Sequence, residues 1–155
     1  MRIGHGYDVH RLGPGVPLVL GGVTIPHKSG LIGWSDADVL THAVIDALLG
    51  AAGLGDIGAH FPPGDPQYKG ISSLVLLRHV SGLLAKKGYR VGNIDATVVA
   101  EQPRLREHID GMRASLAGAL GCEPSVINIK ATTQEGLGFA GREEGIAAWA
   151  VAFIV

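Results

Sequence analysis

Asp8 and His10 stand two residues apart in an apolar-alternating run, residues 2 to 12, that reads as a β-strand. Period-2 alternation puts both side chains on one face, within reach of a single metal ion. His42 lies in a later segment where Val39, Ala43, Ile45, Leu48, Leu49 and Ala52 recur with helical spacing. Asp38 and Asp46 flank it at minus four and plus four, stacking carboxylate, imidazole and carboxylate along one stripe. One aspartate and two histidines make a three-ligand zinc set whose fourth tetrahedral position stays open for substrate or water, with an adjacent aspartate expected to orient the helical imidazole. The ordinary alternative is that an isolated D-x-H pair sits on the surface or in a hydrogen-bonded core, with Asp36 and Asp38 complementing a helix dipole.

A second constellation runs from Lys130 to Arg142 and holds Thr132, Thr133, Glu135, Gly136, Gly138 and Gly141. Hydroxyls, backbone amides and a bidentate guanidinium are the groups that phosphate oxygens require. Glu135 makes sense there as the holder of a divalent cation that bridges phosphate oxygens, as magnesium does. The competing reading is a glycine-rich turn with a capping threonine and a surface salt bridge. A third run, Gly55 to Asp65, offers Asp56 to ribose hydroxyls and lets the backbone approach a sugar or base at Gly58; alone it reads equally as a turn.

The elements that must position these residues follow from periodicity and punctuation. Residues 2 to 12 and 17 to 25 read as two strands joined at Gly13-Pro14-Gly15, and a loop with Pro26 and Gly30 follows. Ser35 is the expected N-cap of a helix that stops near Gly53. Residues 54 to 70 form a long loop rich in Gly, Pro and Asp, of the kind that often serves as a lid. A helix is expected over 72–87, a strand over 89–100, and a third helix opened by Pro103, with Leu105, Ile109, Met112 and Leu116 as its buried stripe and Gly121 as its stop. Strands over 126–132 and 145–155 complete the chain.

Composition narrows the function classes. The 155 residues suit one domain. Thirteen basic and fourteen acidic side chains give a net charge of −1, which provides no field for nucleic acid or an anionic membrane. Charged residues make up 17%, against about 25% in a typical soluble domain, and no apolar run reaches the roughly 18 residues of a membrane span. The missing surface charge predicts a homo-oligomer. Cys122 is the only cysteine, so no intramolecular disulfide or multi-cysteine zinc site exists, and a reducing compartment fits. Met1 to His5 reads as immediate structure, with neither signal nor transit character, so a bacterial-type cytoplasm is expected and a processed organellar form stays open.

Taken together, Arg2-Ile3-Gly4-His5-Gly6-Tyr7-Asp8-Val9-His10, Ser35-Asp36-Ala37-Asp38-Val39-Leu40-Thr41-His42-Ala43, Asp46-Ala47-Leu48-Leu49-Gly50, Gly55-Asp56-Ile57-Gly58, Lys130-Ala131-Thr132-Thr133, Glu135, Leu137-Gly138-Phe139 and Gly141-Arg142 span nearly the whole chain. The ordered set resembles the 2-C-methyl-D-erythritol 2,4-cyclodiphosphate synthases of the non-mevalonate isoprenoid pathway. The resemblance implies an α/β (α+β) fold, a single compact domain with a mixed sheet covered by helices. It also implies a homotrimer with active sites at the subunit interfaces and an apolar axial cavity that could take an isoprenoid diphosphate. It implies zinc, or another divalent transition metal, on Asp8, His10 and His42, and magnesium or manganese on Glu135.

The implied reaction is a phosphorus–oxygen lyase step, converting 4-diphosphocytidyl-2-C-methyl-D-erythritol 2-phosphate to the 2,4-cyclodiphosphate and CMP. Contacts to this cytidine diphosphate substrate are implied for Ser35, Asp56, Ile57, Gly58, Phe61 and Asp65, and for the segment Ala100 to Arg106 with Pro103 and Arg104. Thr132, Thr133 and Arg142 would serve the phosphates, Phe139 a nearby pocket, and Thr133 would also donate to charge developing at phosphorus. Trp34 occupies a catalytic position where the family commonly carries histidine. Indole has one N–H donor and cannot be cationic, so either the backbone and Ser35 suffice or turnover is reduced. Pro63-Gly64 replaces a carboxylate and a hydroxyl that the family usually has in this loop, so substrate closure is expected to differ. Two other functions compete: a non-catalytic oligomeric binder of isoprenoid diphosphates, suited by the apolar composition and Trp34, and a zinc hydrolase, weakened by the lack of an obvious general base.

Overall fold

In a computed structural model that describes residues 1–155, the elements in chain order are β1 (Arg2–Gly13), β2 (Leu18–Leu20), β3 (Val23–Ile25), β4 (Gly30–Ile32), α1 (Val39–Ala52), α2 (Ile57–His60), α3 (Ser73–Lys86), β5 (Val91–Val99), α4 (Ile109–Leu120), β6 (Ile127–Thr132), α5 (Gly138–Gly141) and β7 (Gly145–Ile154). Five strands form a mixed sheet in the order β4-β1-β7-β5-β6, with β5 and β6 parallel and every other pair antiparallel. The single parallel pair is the one whose connection carries a helix, α4, as a parallel crossover requires. The long helices cover one face around one contiguous core, which is the expected α+β class.

α1 sits at the centre of that core. It packs on β1 and β7 from one side and against α3 from the other, so almost its whole circumference is buried and it is apolar nearly all round. Its approach to the sheet is set by small residues. Gly4 and Gly6 of β1 face Ala43, Ala47 and Ala51, and a methyl built on either glycine would overlap a carbonyl oxygen of α1, that of Ala47 or of Ala43. Ala148, Ala150 and Ala152 of β7 continue this thin layer. Alternation along β1 sends Gly4, Gly6, Asp8 and His10 toward the helices and Ile3, His5, Tyr7, Val9 and Arg11 to the other face.

That other face carries no helix. Ile3, Tyr7 and Val9 of β1 and Trp149 and Val151 of β7 are exposed on it, and the Tyr7 and Trp149 rings lie 4.8 Å apart across the ladder. This apolar patch on β1 and β7 is where the charge missing from the composition leaves its mark, while His5 and Arg11 of β1 and the Asp95–Lys130 pair of β5 and β6 lie around it.

Several sequence expectations are corrected in detail. The strand expected over 17–25 is the β2–β3 hairpin, split at Gly21-Gly22, where φ values of 56° and 75° suit a tight two-residue turn. β4 lies inside the expected loop because three residues are too few to show alternation. Asp38, not Ser35, caps α1: its side chain accepts the Thr41 N–H. The 54–70 loop contains α2 and a 3-10 turn at Pro66–Tyr68. Pro103 does not open a helix: it follows a cis peptide in an irregular segment, and Leu105 reaches the core from outside α4, which starts at Ile109.

Candidate functional site

Asp8 and His10 project from the inward face of β1, and the close contact between strand and helix brings His42 of α1 to them. Asp8 Oδ2 lies 2.9 Å from His42 Nδ1 and 3.0 Å from His10 Nε2, and the two imidazole nitrogens are 3.2 Å apart. Three donor atoms at the corners of so small a triangle fit a divalent cation. Ligand bonds of about 2.0–2.2 Å in a tetrahedron put donors roughly 3.3 Å from one another. One carboxylate and two imidazoles form a nitrogen and oxygen set suited to zinc or a similar transition metal.

Second partners hold the ligands in place. His10 Nδ1 faces the Ile32 carbonyl at 3.0 Å, which can only accept, so Nε2 keeps its lone pair toward the triangle. His42 Nε2 faces Ser73 Oγ at 2.8 Å and Ser35 Oγ at 3.2 Å. Burial pushes the Asp8 carboxyl up, but hydrogen bonds and charges from His10 and His42 prevail and hold it at about 2. Burial acts to lower His10, yet the Asp8 carboxylate keeps the imidazole above its ordinary value.

The stripe of Asp38, His42 and Asp46 does not form a contact chain. Asp38 is buried and turns away to collect the amides of Gly21, Gly22 and Thr41 and the Thr41 hydroxyl, tying the β2–β3 hairpin to α1. Asp46 accepts the Ile57 amide at 2.7 Å and so seats α2. The expected orienting aspartate beside His42 is thus replaced by a serine that spacing along α1 could not reveal, since Ser73 arrives from α3.

Asp8, His10 and His42 form one wall of a cavity of about 350 Å³. Trp34, Ser35, Ile57, Gly58 and Phe61, all named among the candidate residues, line it with Pro63, Tyr68 and Leu76. The Trp34 indole N–H donates to the Asp65 carbonyl at 2.8 Å, its backbone carbonyl accepts from Gly70, and Lys69 stands over its ring. Trp34 therefore pins the 61–70 segment. Asp56 and Asp65 do not line this cavity; their carboxylates cap α2 and the Pro66 turn.

The second group of anticipated residues assembles elsewhere. Ala100, Pro103, Arg104, Arg106, Thr132 and Thr133 line a separate cavity of about 240 Å³ at the carboxyl ends of β5 and β6, together with Glu101 of the same segment. Glu101 accepts the amides of Gln134 and Gly136, and Thr133 Oγ1 accepts that of Glu135, so these backbone donors are already engaged. The Thr132 hydroxyl donates to the Thr133 carbonyl at 3.2 Å, so the Thr133 hydroxyl hydrogen and the guanidinium groups of Arg104 and Arg106 are what remain for an anion. Glu135, with φ of 53°, is exposed and its carboxylate pairs with no side chain. Phe139 lines a third hollow beside His10 and Glu144, while Arg142 is paired with Glu144 at 3.0 and 3.2 Å outside the three cavities. Register places Asp8, Ala148, Val98 and Ala131 side by side across four strands, which separates the first two cavities by three strand spacings, about 14 Å.

The model of the YgbB family matches residues 1–155. The 2-C-methyl-D-erythritol 2,4-cyclodiphosphate synthase of Dehalococcoides mccartyi strain CBDB1 is 67% identical over 154 residues, 99% of this chain and 98% of its own length. Among solved structures, the bifunctional IspDF from Campylobacter jejuni superposes with a TM-score of 0.95 at 42% identity; the match takes in 99% of this chain and spans 42% of that longer one. A 2C-methyl-D-erythritol-2,4-cyclodiphosphate synthase solved in its CDP-bound form matches with a TM-score of 0.90 at 36% identity, over 99% of this chain and 100% of its own.

Proposed function

The chain belongs to the YgbB family, and we infer that it cyclises 4-diphosphocytidyl-2-C-methyl-D-erythritol 2-phosphate to the 2,4-cyclodiphosphate with release of CMP. The observation that carries this reading is the convergence of Asp8, His10 and His42 on one cation-sized triangle that opens into a cavity. In the reaction an oxygen of the 2-phosphate forms a new bond to the β-phosphorus, and the bond from that phosphorus to the CMP oxygen breaks, the electron pair leaving with CMP. The attacking oxygen is already anionic near neutral pH, so positioning and charge neutralisation supply most of the catalysis and no strong base is needed.

Zinc at the triad, and magnesium or manganese at the unpaired Glu135 carboxylate, supply Lewis-acid polarisation and charge neutralisation of phosphoryl oxygens when bound. Ser35 contributes a hydroxyl beside His42. Asp56, Ile57 and Gly58 receive the ribose on the rim of the first cavity, and Phe61 and Asp65 shape the adjoining loop. Ala100, Pro103, Arg104 and Arg106 receive the cytidine end, and Thr132, Thr133 and Arg142 the phosphates, with Thr133 donating to the oxygen that gains charge. Trp34 acts as wall and loop anchor, because its one N–H is already committed to Asp65.

The working unit of this reading is a homotrimer, in which the second cavity of one copy faces the triad of the next. Two features support it: the 14 Å gap between cavities in one chain and the bare apolar face centred on Tyr7 and Trp149. An apolar cavity on the trimer axis would then be able to take an isoprenoid diphosphate, and Phe139 would line the pocket near the phosphates. The expected location is the bacterial cytoplasm, and no helix is long and apolar enough to cross a membrane. Phosphorus NMR of the protein with its substrate, zinc and magnesium tests the activity: a cyclic diphosphate and CMP are expected, and tight binding without turnover would point to a non-catalytic binder.

A further inference from the structure

Ser73 is the first residue of α3, fully buried, and lies against the edge of the His42 ring remote from the triangle of donors. Its hydroxyl is 2.8 Å from His42 Nε2 and also hydrogen-bonds to Asp36 Oδ1. Asp36 acts only as an acceptor here: it also takes the backbone N–H of Ser73 at 2.9 Å and that of Asp38 at 3.1 Å. A serine hydroxyl has a single hydrogen, and a carboxylate has none to give. The Ser73 hydrogen is therefore spent on Asp36, and only an oxygen lone pair is left to face the imidazole. That lone pair favours a proton on Nε2, whereas the Asp8 carboxylate, 2.9 Å from Nδ1, favours one there; a cation on Nδ1 would leave only the Nε2–H form.

We propose that Asp36 and Ser73 form a relay that draws His42 toward the Nε2–H tautomer against the pull of Asp8 on Nδ1, making Ser73 a positioning residue for the metal. The proposal rests on the reading that the triad holds a divalent cation. It gives the two histidine ligands different supports: His10 is oriented by a backbone carbonyl, which no substitution removes, and His42 by side chains that can be deleted one at a time. A corollary concerns Ser35. Because the Nε2 proton also faces Ser35 Oγ, and the Ala37 amide donates to the same oxygen, the Ser35 hydrogen stays free to donate into the cavity.

Two measurements test the relay. Nitrogen-15 NMR of the metal-free protein at alkaline pH, where imidazoles are neutral, reads which nitrogen of His42 is protonated. Competition with a chromophoric chelator reads zinc affinity. The wild-type protein is expected to show a measurable Nε2–H population beside the Nδ1–H form that Asp8 favours. Ser73→Ala should shift His42 toward the Nδ1–H form and weaken zinc binding by about 10–100-fold, the usual effect of removing an outer-shell partner. Asp36→Asn, which keeps the volume, should move both readouts in the same direction, and it decides the matter if Ser73→Ala does not fold. Ser72→Ala removes a neighbouring hydroxyl that makes no capping bond and should change neither. A Ser73→Ala protein with the wild-type tautomer and wild-type zinc affinity overturns the relay, as does an equal loss in Ser72→Ala. If the wild-type protein takes up no zinc, the metal reading fails instead, and the NMR result alone decides for or against the relay.

Discussion

The two cavities are built on opposite principles. Around the triad, both imidazoles are held by a second partner, and even the loop wall is tied down through Trp34. Around Thr132 and Thr133 the residues are exposed, the turn amides are consumed by Glu101 and Thr133, and Glu135 projects without a partner. One half of the machinery is complete inside a single chain, and the other gains its environment from contact with a second copy in the proposed trimer. Preorganisation is therefore concentrated where the proposed cation would be gripped, and left open where the proposed substrate would enter.

Removing a ligand should break this contrast most severely. Asp8→Ala deletes one of three donors, and the several kcal/mol of charge stabilisation such a centre provides corresponds to a loss of about 1,000-fold or more in CMP release, with zinc lost in parallel. Metal analysis of the purified variant alongside the phosphorus assay checks both. Thr133→Ala should separate the two regions: turnover is expected to fall by about 100-fold with zinc affinity unchanged, and a loss of zinc would show that the cavities are not independent. Trp34→Phe deletes the hydrogen bond to Asp65, worth about 1 kcal/mol, and should raise KM by about fivefold while leaving zinc binding intact. The subtlest effect is on pH. In the metal-free protein Asp8 is depressed, so its contribution to stability is present above about pH 4 and lost as pH falls toward 2. His10 is raised, so its contribution is present below about pH 6.5 and lost as pH rises through its folded value. Metal-free protein should thus melt highest at weakly acidic pH and lower at alkaline pH, whereas zinc-loaded protein gains stability as the ligands deprotonate. Parallel melting curves with and without chelator would show the two trends diverging.

Long-range consequences of short patterns account for what the sequence revealed and what it hid. The D-x-H pair and the helical histidine were legible because alternation and helical period fix which face a side chain occupies. Ser73 was hidden because its role depends on where α3 crosses α1, a distance of 31 residues along the chain. Asp38 misled for a related reason: its helical spacing from His42 is real, but the amides of the Gly21-Gly22 turn claim its carboxylate first. Pro103 carried a valid helix-start preference that the irregular segment before α4 overrode. The role of Glu101 had no local mark, since its partners lie over 30 residues away.

The layer of bare glycine and alanine between β1 and α1 has one more effect. Sliding the strand along the helix by one residue would drive a methyl or a larger group into backbone, so this pair of elements behaves as a single stiff part with no intermediate settings. A coordination site that straddles the joint inherits its tolerance. The chain thereby obtains from missing side chains the kind of dimensional control that other small proteins draw from cross-links, which its lone cysteine cannot provide within the subunit.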